Sequence, residues 1–102
     1  MIQTTDIRRV VVIADTAIER LILEQIVKAG AHGYNCVYCF GKGRHEPIDD
    51  PFTGRSRVRI EVLAKPSVAN AIMDFIHQPE LKSYPVTAFV DTVEVDARDT
   101  YF

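Results

Sequence analysis

The segment from Arg57 to Leu63 most constrains the fold, because polar and apolar residues alternate along it almost without a break. A period of two predicts an extended strand with a different environment on each face. The aliphatic positions are Val58, Ile60 and Val62, and the opposite positions are Arg57, Arg59, Glu61 and Leu63. We therefore expect a strand here with one buried face and one charged face.

The segments before Arg57 predict a strand, a helix and a second strand. Residues 8–14 form a short run rich in β-branched residues, which is typical of a buried strand. Thr16 and Glu19 have the spacing of a capping box, and apolar residues then recur at helical intervals, so a helix is expected over about residues 16–29. Residues 34–40 alternate and predict a strand, with Tyr34, Cys36, Tyr38 and Phe40 on one face.

The last third of the chain adds a helix and a strand, which completes a β-α-β-β-α-β order. Pro66 suits the first turn of a helix that ends before Pro79, and a final strand lies within residues 86–95. This order predicts an α+β, ferredoxin-like single domain over residues 1–102, with two helices on one face of a four-stranded antiparallel sheet. The last strand is partly apolar on both faces, and 102 residues support only a modest core. We therefore expect a second copy to cover the open face.

A cluster of glycines and basic residues is the most informative candidate site. Gly41, Lys42, Gly43 and Arg44 precede a long polar loop, and the strand that follows the loop carries Arg57 and Arg59. Glycine allows close approach of the backbone, and basic side chains bind phosphate, so an anionic or nucleotide ligand is one interpretation. Glu61 would accept a hydrogen bond from adenine or hold one of the arginines. The alternative is a solvated turn beside a cross-strand ion network.

Other classes of function have little support in the sequence. Cys36 and Cys39 have the C-x-x-C spacing, but on a strand they point to opposite faces, which disfavours a shared metal. No nucleophile, base and acid group is evident, so we expect a protein that is not an enzyme. The net charge of −2 disfavours nucleic acid as the main partner. No signal peptide or membrane span is evident in the sequence, so a cytoplasmic location is expected.

Three segments resemble the PII and PII-like signalling proteins. Residues 33–36 (Gly-Tyr-Asn-Cys), followed by 41–44 (Gly-Lys-Gly-Arg), look like the second strand and the base of the long T-loop in that family. Residues 57–62 (Arg-Val-Arg-Ile-Glu-Val) look like the third strand. The order of elements and the length also agree, so the resemblance covers nearly the whole chain.

The resemblance implies a homotrimer that binds adenine nucleotides in clefts between its subunits. The T-loop, here about residues 43–56, would respond to the ligand and dock on a target protein. The positions implied near the nucleotide are Asn35, Gly41, Lys42, Gly43, Arg57, Glu61, Val62, Leu63 and Tyr84. His45 stands where standard PII proteins have a glutamine that helps to hold magnesium and 2-oxoglutarate, so sensing of 2-oxoglutarate is not expected. The phosphate-binding residues of standard PII proteins are also fewer, which favours ADP or AMP over ATP.

These departures resemble the SbtB-like and carboxysome-associated branch, in which bicarbonate accompanies the nucleotide. The implied role is regulation of inorganic-carbon uptake or carboxysome function through the T-loop. Arg44, Arg55 and Arg59 are the expected anion-binding residues, together with Arg57. Two alternatives stay open: a trimeric binding module for a metal or another small molecule, and, with less support, a nucleotide-hydrolysing enzyme.

Overall fold

The computed structural model describes residues 4–41, 44 and 56–99, which form a four-stranded antiparallel sheet with two α-helices on one face. In chain order the elements are β1 (Thr4–Asp15), α1 (Glu19–Lys28), β2 (Asn35–Phe40), β3 (Ser56–Ala64), α2 (Pro66–Ile76) and β4 (Val86–Asp96). Short 3₁₀ turns at Thr16–Ile18 and Pro79–Leu81 precede α1 and β4. The predicted α+β fold and its order of elements are confirmed.

The start of α1 differs from the predicted capping box. Asp15, rather than Thr16, is the capping residue, and its carboxylate accepts a hydrogen bond of 2.8 Å from the backbone N–H of Ala17. Thr16 lies inside the 3₁₀ turn, and Glu19 begins the α-helix. An aspartate one residue earlier fills the same chemical role, because a short carboxylate also satisfies a free amide at a helix start.

Gly30 ends α1 and directs the chain towards β2. Its φ is +110°, in the region that favours glycine. A Cβ at this position would lie 3.4 Å from Cγ2 of Val68 on α2. The backbone conformation and this close approach to the second helix both fix where the following residues, 31–34, begin.

The strand order β2-β3-β1-β4 places β1 in the interior and leaves β2 and β4 at the two edges. Val12 of β1 lies opposite Ile60 of β3 and Ala88 of β4, and Val11 lies opposite Glu61 and Phe89. Because side chains alternate along strands, the two sets define two faces. The first face meets the helices, and the second is the open face.

The helix-covered face forms the main core. Val10, Val12, Val58, Ile60 and Val62 have no exposed surface, and they pack with Ile22 and Ile26 of α1 and Ile72 of α2. The predicted faces of β3 are therefore confirmed.

The open face carries charge as well as apolar side chains. Arg9 forms two hydrogen bonds, of 3.0 and 2.7 Å, with the carboxylate of its cross-strand neighbour Asp91. Ile7 and Val11 are buried on this same face, whereas Phe89 is 42% exposed. None of the helices in the described residues has the length and apolar content of a membrane span.

Candidate functional site

An open cleft of about 400 Å³ lies where β2 begins, at one edge of the sheet. Its lining residues are Gly33, Tyr34, Asn35, Glu61 and Leu63. The segment that follows Gly30 supplies one wall, and the end of β3 supplies the other. Three of the residues predicted to lie near a nucleotide base, Asn35, Glu61 and Leu63, are therefore brought together by the fold.

The pairing of β2 with β3 stops at this cleft. Asn35 of β2 lies opposite Glu61 of β3 in the last pair of the ladder, whereas β3 continues to Ala64. Successive residues of an antiparallel strand direct their N–H and C=O groups to alternate sides. Either Val62 or Leu63 therefore directs its main-chain N–H and C=O towards the edge that β2 no longer covers. At this edge the described residues provide no strand partner. A planar ligand with donors and acceptors on its edge would pair with these main-chain groups.

Val62 itself contributes no side chain to the cleft. It has no exposed surface and packs in the main core between the sheet and the helices. Any contact between Val62 and a ligand would therefore be through its main chain. The side chain of Leu63, its neighbour, points to the opposite face and lines the cleft.

At the other end of the same strand pair, Arg57 lies directly across from Cys39. This residue is only 8% exposed, an unusual burial for arginine. A Cβ at Gly41 would lie 3.5 Å from both Cδ and Nε of Arg57, so the lack of a side chain at Gly41 lets the backbone run close to the arginine. Glu61 lies four positions along the strand from Arg57, which corresponds to about 13 Å.

Arg59 lies between these two ends and faces Glu61. Its Nη1 atom is 3.9 Å from Oε2 of Glu61, a distance that fits an ion pair without a close hydrogen bond. Both side chains are partly open to solvent, at 40% and 36% exposure. Glu61 therefore holds Arg59 loosely and still lines the cleft, so the two roles considered for Glu61 are compatible.

Tyr84 lies at the opposite edge of the sheet. It precedes β4, and the strand order places three strand spacings, about 14 Å, between β4 and β2. Within one chain Tyr84 is therefore remote from the cleft. The residue is 42% exposed, so its surface is open to a second copy of the chain.

Part of the predicted site falls outside the described residues. Lys42, Gly43, His45 and Arg55 belong to this part, as does most of the T-loop range 43–56. Arg44 is described and is exposed to solvent. The convergence of Lys42 and Arg44 with Arg57 and Arg59 accordingly stays a prediction.

Gly33 and Tyr34 line the cleft but were not among the predicted site residues. They come immediately before Asn35, and that adjacency was the signal available in the sequence. A Cβ at Gly33 would meet no heavy atom within 4 Å, so this position faces open space. Tyr34 is 43% exposed and also lines a second groove against α1.

The two cysteines occupy different faces of β2, as the spacing predicts. Cys36 packs against the core, and burial, followed by the negative charge of Glu19, raises the pKa of its thiol. Cys39 is exposed on the face that carries Arg57. Across residues 4–41, 44 and 56–99, no three His, Cys, Asp or Glu side chains form a group that could hold a metal ion.

Tyr38 links the edge strand β2 to the start of α1. Its hydroxyl donates a hydrogen bond of 2.9 Å to Oε2 of Glu19, and this bond is the main cause of a raised pKa for Tyr38. Phe40, the last residue of β2, is 64% exposed. The Tyr38–Glu19 bond therefore joins the strand that carries the cleft to the helical layer.

Solved structures share this fold over nearly the full chain. A PII-like protein of Thermus thermophilus has a TM-score of 0.78 and 23% identity, covering 98% of this chain and 99% of that one. The CPII protein of Thiomonas intermedia, bound to ADP and bicarbonate, has a TM-score of 0.82 and 18% identity, covering 94% of each chain. The GlnK–ATP complex of B. subtilis is more distant, with a TM-score of 0.55 and 10% identity over 84% of each chain.

The sequence comparison gives the family. No curated protein matches the chain closely. The family described as nitrogen regulatory protein P-II matches residues 7–99, which include every strand and helix apart from the first three residues of β1. The order of elements and the cleft beside β2 are consistent with this family match. The chain therefore belongs to the nitrogen regulatory protein P-II family of signalling proteins.

Proposed function

We propose that this protein is a non-catalytic sensor of ADP or AMP, and that the nucleotide binds along the β2–β3 edge. The observation that carries the proposal is the arrangement of one strand pair: Asn35 and Glu61 flank a cleft at one end, and Arg57 lies beside Gly41 at the other. The separation of about 13 Å matches an extended nucleoside diphosphate with its base in the cleft.

The chemistry of the two ends sets the direction of the nucleotide. The base lies against Leu63, where main-chain groups of β3 read its edge, and the Glu61 carboxylate accepts a hydrogen bond from an amino or hydroxyl group. The phosphates lie at Arg57 and at the backbone of residues 41–43, because a guanidinium and nearby amides are strong partners for phosphate oxygens. Lys42 and Gly43 are part of this phosphate site.

A homotrimer completes the site. In one chain the cleft is open on the side away from β3, and Tyr84 lies on the far edge of the sheet. When the β4 edge of one subunit meets the β2 edge of the next, Tyr84 reaches a neighbour's nucleotide. Burial of the apolar part of the open face, which includes Phe89, favours this assembly by the hydrophobic effect.

Bicarbonate is the second effector in this proposal, and Arg44, Arg55 and Arg59 bind it near the nucleotide phosphates. CPII of Thiomonas intermedia provides the support, since its structure holds ADP and bicarbonate together. The two ligands set the conformation of residues 43–56, which dock on a target protein involved in inorganic-carbon uptake or carboxysome function. The protein acts in the cytoplasm, where these nucleotides are available.

Calorimetric titration with ADP, in the presence and absence of bicarbonate, tests the proposal. Linked ligands change one another's affinity, so the ADP isotherm is expected to shift when bicarbonate is present. Identical isotherms would remove bicarbonate from the proposal and leave the nucleotide in place. Steady release of phosphate from ADP or ATP would show an enzyme instead of a sensor.

A variant that fills the cleft locates the site. Gly33→Trp places a large ring in open space, and the φ of Gly33 is not in the left-handed region, so the fold is expected to tolerate it. ADP binding should fall at least about tenfold, a loss of about 1.4 kcal/mol. Asn70→Trp, at an exposed position of α2, is the matched control and should bind ADP like wild type. Equal binding by both variants would place the nucleotide elsewhere.

A further inference from the structure

We propose that Tyr34 is the aromatic platform on which the nucleotide base stacks, and that it makes binding depend on the base. This inference rests on the proposed nucleotide site and adds a residue to it. Among the described residues that line the cleft, Tyr34 alone carries a ring. The others are a glycine, an asparagine, a glutamate and a leucine, of which only Leu63 offers an apolar surface.

The position of the Tyr34 ring suits this role, because it forms a partition between two spaces. One space is the cleft with Asn35 and Glu61. The other is a groove that Tyr34 lines together with Arg20, Leu23, Glu24 and Val27 of α1. Tyr34 as a whole residue is 43% exposed, which is consistent with a ring that a ligand can reach.

The backbone leading into the site also favours a fixed ring position. Gly30 turns the chain at φ +110° and packs close to Val68, so the four residues before Asn35 start from a defined point. At Asn35 the chain enters the ladder with β3. Tyr34 is therefore held between two anchored positions, which lowers the entropy that a stacking residue loses when the ligand binds.

Stacking supplies what the other residues of the cleft lack. Main-chain groups of β3 and the carboxylate of Glu61 recognise the edge of a base, whereas its flat faces need an apolar surface. Leu63 can cover one face, and Tyr34 the other. A base held between a leucine and a tyrosine would contribute affinity that a phosphate-only ligand cannot gain.

Titrations of Tyr34→Phe and Tyr34→Leu with two probes test the inference. The probes are ADP and inorganic pyrophosphate, which lacks a base. Tyr34→Leu is expected to weaken ADP binding about 5- to 100-fold, in the range found when an aromatic platform for a base is removed. Tyr34→Phe keeps the ring and should stay within about twofold of wild type. Pyrophosphate should bind all three proteins equally.

The outcomes separate this inference from the function on which it rests. ADP binding by Tyr34→Leu at wild-type strength overturns the platform while the nucleotide site stands. Equal losses in Tyr34→Phe and Tyr34→Leu assign the effect to the hydroxyl and also overturn it. A parallel loss of pyrophosphate binding indicates a general structural defect and counts against it. Absence of ADP binding by the wild type overturns the proposed function and this inference together.

Discussion

The two faces of β3 have different roles: one packs in the core, and the other faces the proposed binding site. Val58, Ile60 and Val62 have no exposed surface and lie in the core. On the opposite face, Glu61 lines the cleft and Arg59 is about 40% exposed. Neighbouring residues, about 3.3 Å apart along the chain, therefore obey different constraints. Substitutions on one face should change stability, and those on the other should change ligand binding.

The largest effect is expected from the core face of β3. Ile60→Ala removes a fully buried side chain between the sheet and the helices and should lower the free energy of unfolding by about 2–5 kcal/mol. Glu61→Ala, one residue further on, should change it by no more than about 0.5 kcal/mol. Denaturant unfolding at a fixed protein concentration measures both. Similar losses of unfolding free energy in Ile60→Ala and Glu61→Ala would show that both faces of β3 contribute equally to stability.

Arg57 tests the binding face, although it is itself buried. Arg57→Met keeps an unbranched side chain next to Gly41 but removes the guanidinium. Loss of charge-assisted hydrogen bonds to phosphate should weaken ADP binding about 10- to 100-fold and leave adenosine binding unchanged. Arg20→Met, at an exposed position of α1, is the control. An equal loss for adenosine would show that Arg57 supports the cleft rather than the phosphates.

The two cysteines report on the two faces of β2 by their reactivity. Cys39 is exposed, whereas Cys36 is partly buried and has a raised pKa, so Cys39 should react with a disulfide reagent on the order of tenfold faster. The single variants Cys36→Ser and Cys39→Ser assign each rate by absorbance. Equal rates in the folded protein would contradict the placement of Cys36 against the core.

The smallest effect concerns the ion pair on the open face. Two hydrogen bonds from Arg9 lower the pKa of Asp91, so its carboxylate stabilises the fold above its unfolded pKa, near 4. This contribution is lost as the pH falls through the lower folded pKa. Asp91→Asn should therefore be less stable than wild type at pH 7, and the two should converge towards pH 2. Asp74→Asn, on the exposed side of α2, controls for the loss of one negative charge. A difference in stability between wild type and Asp91→Asn that widens as the pH falls would contradict a lowered pKa for Asp91.

Much of the fold could be predicted from the sequence because periodicity is a local signal. The alternation of residues 57–63 and the order of elements were sufficient for the sheet and its two faces. The predicted capping residue was wrong by one position, because Asp15 and Thr16 are both good capping residues and only the backbone conformation selects between them. Local pattern could not make that choice.

The candidate site was predictable only in part, because it is assembled across strands. Glu61 followed from its position on the basic face of β3 and Asn35 from family resemblance, and their place in one cleft depends on the register of β2 with β3. Tyr34 lies just outside the regular strand, where no periodicity marks a side chain as functional. The distance of Tyr84 from the cleft follows from the strand order β2-β3-β1-β4, a non-local property.

The shorter length of β2 has a consequence for how such proteins diverge. Because β3 runs on to Ala64 after the ladder has ended at Asn35, the groups left at this edge belong to the main chain. Every amino acid except proline carries the same two groups, so substitutions can accumulate here without changing them. Relatives with 18% and 23% identity retain the fold, and a ligand bound in this way would leave almost no trace in an alignment of side chains.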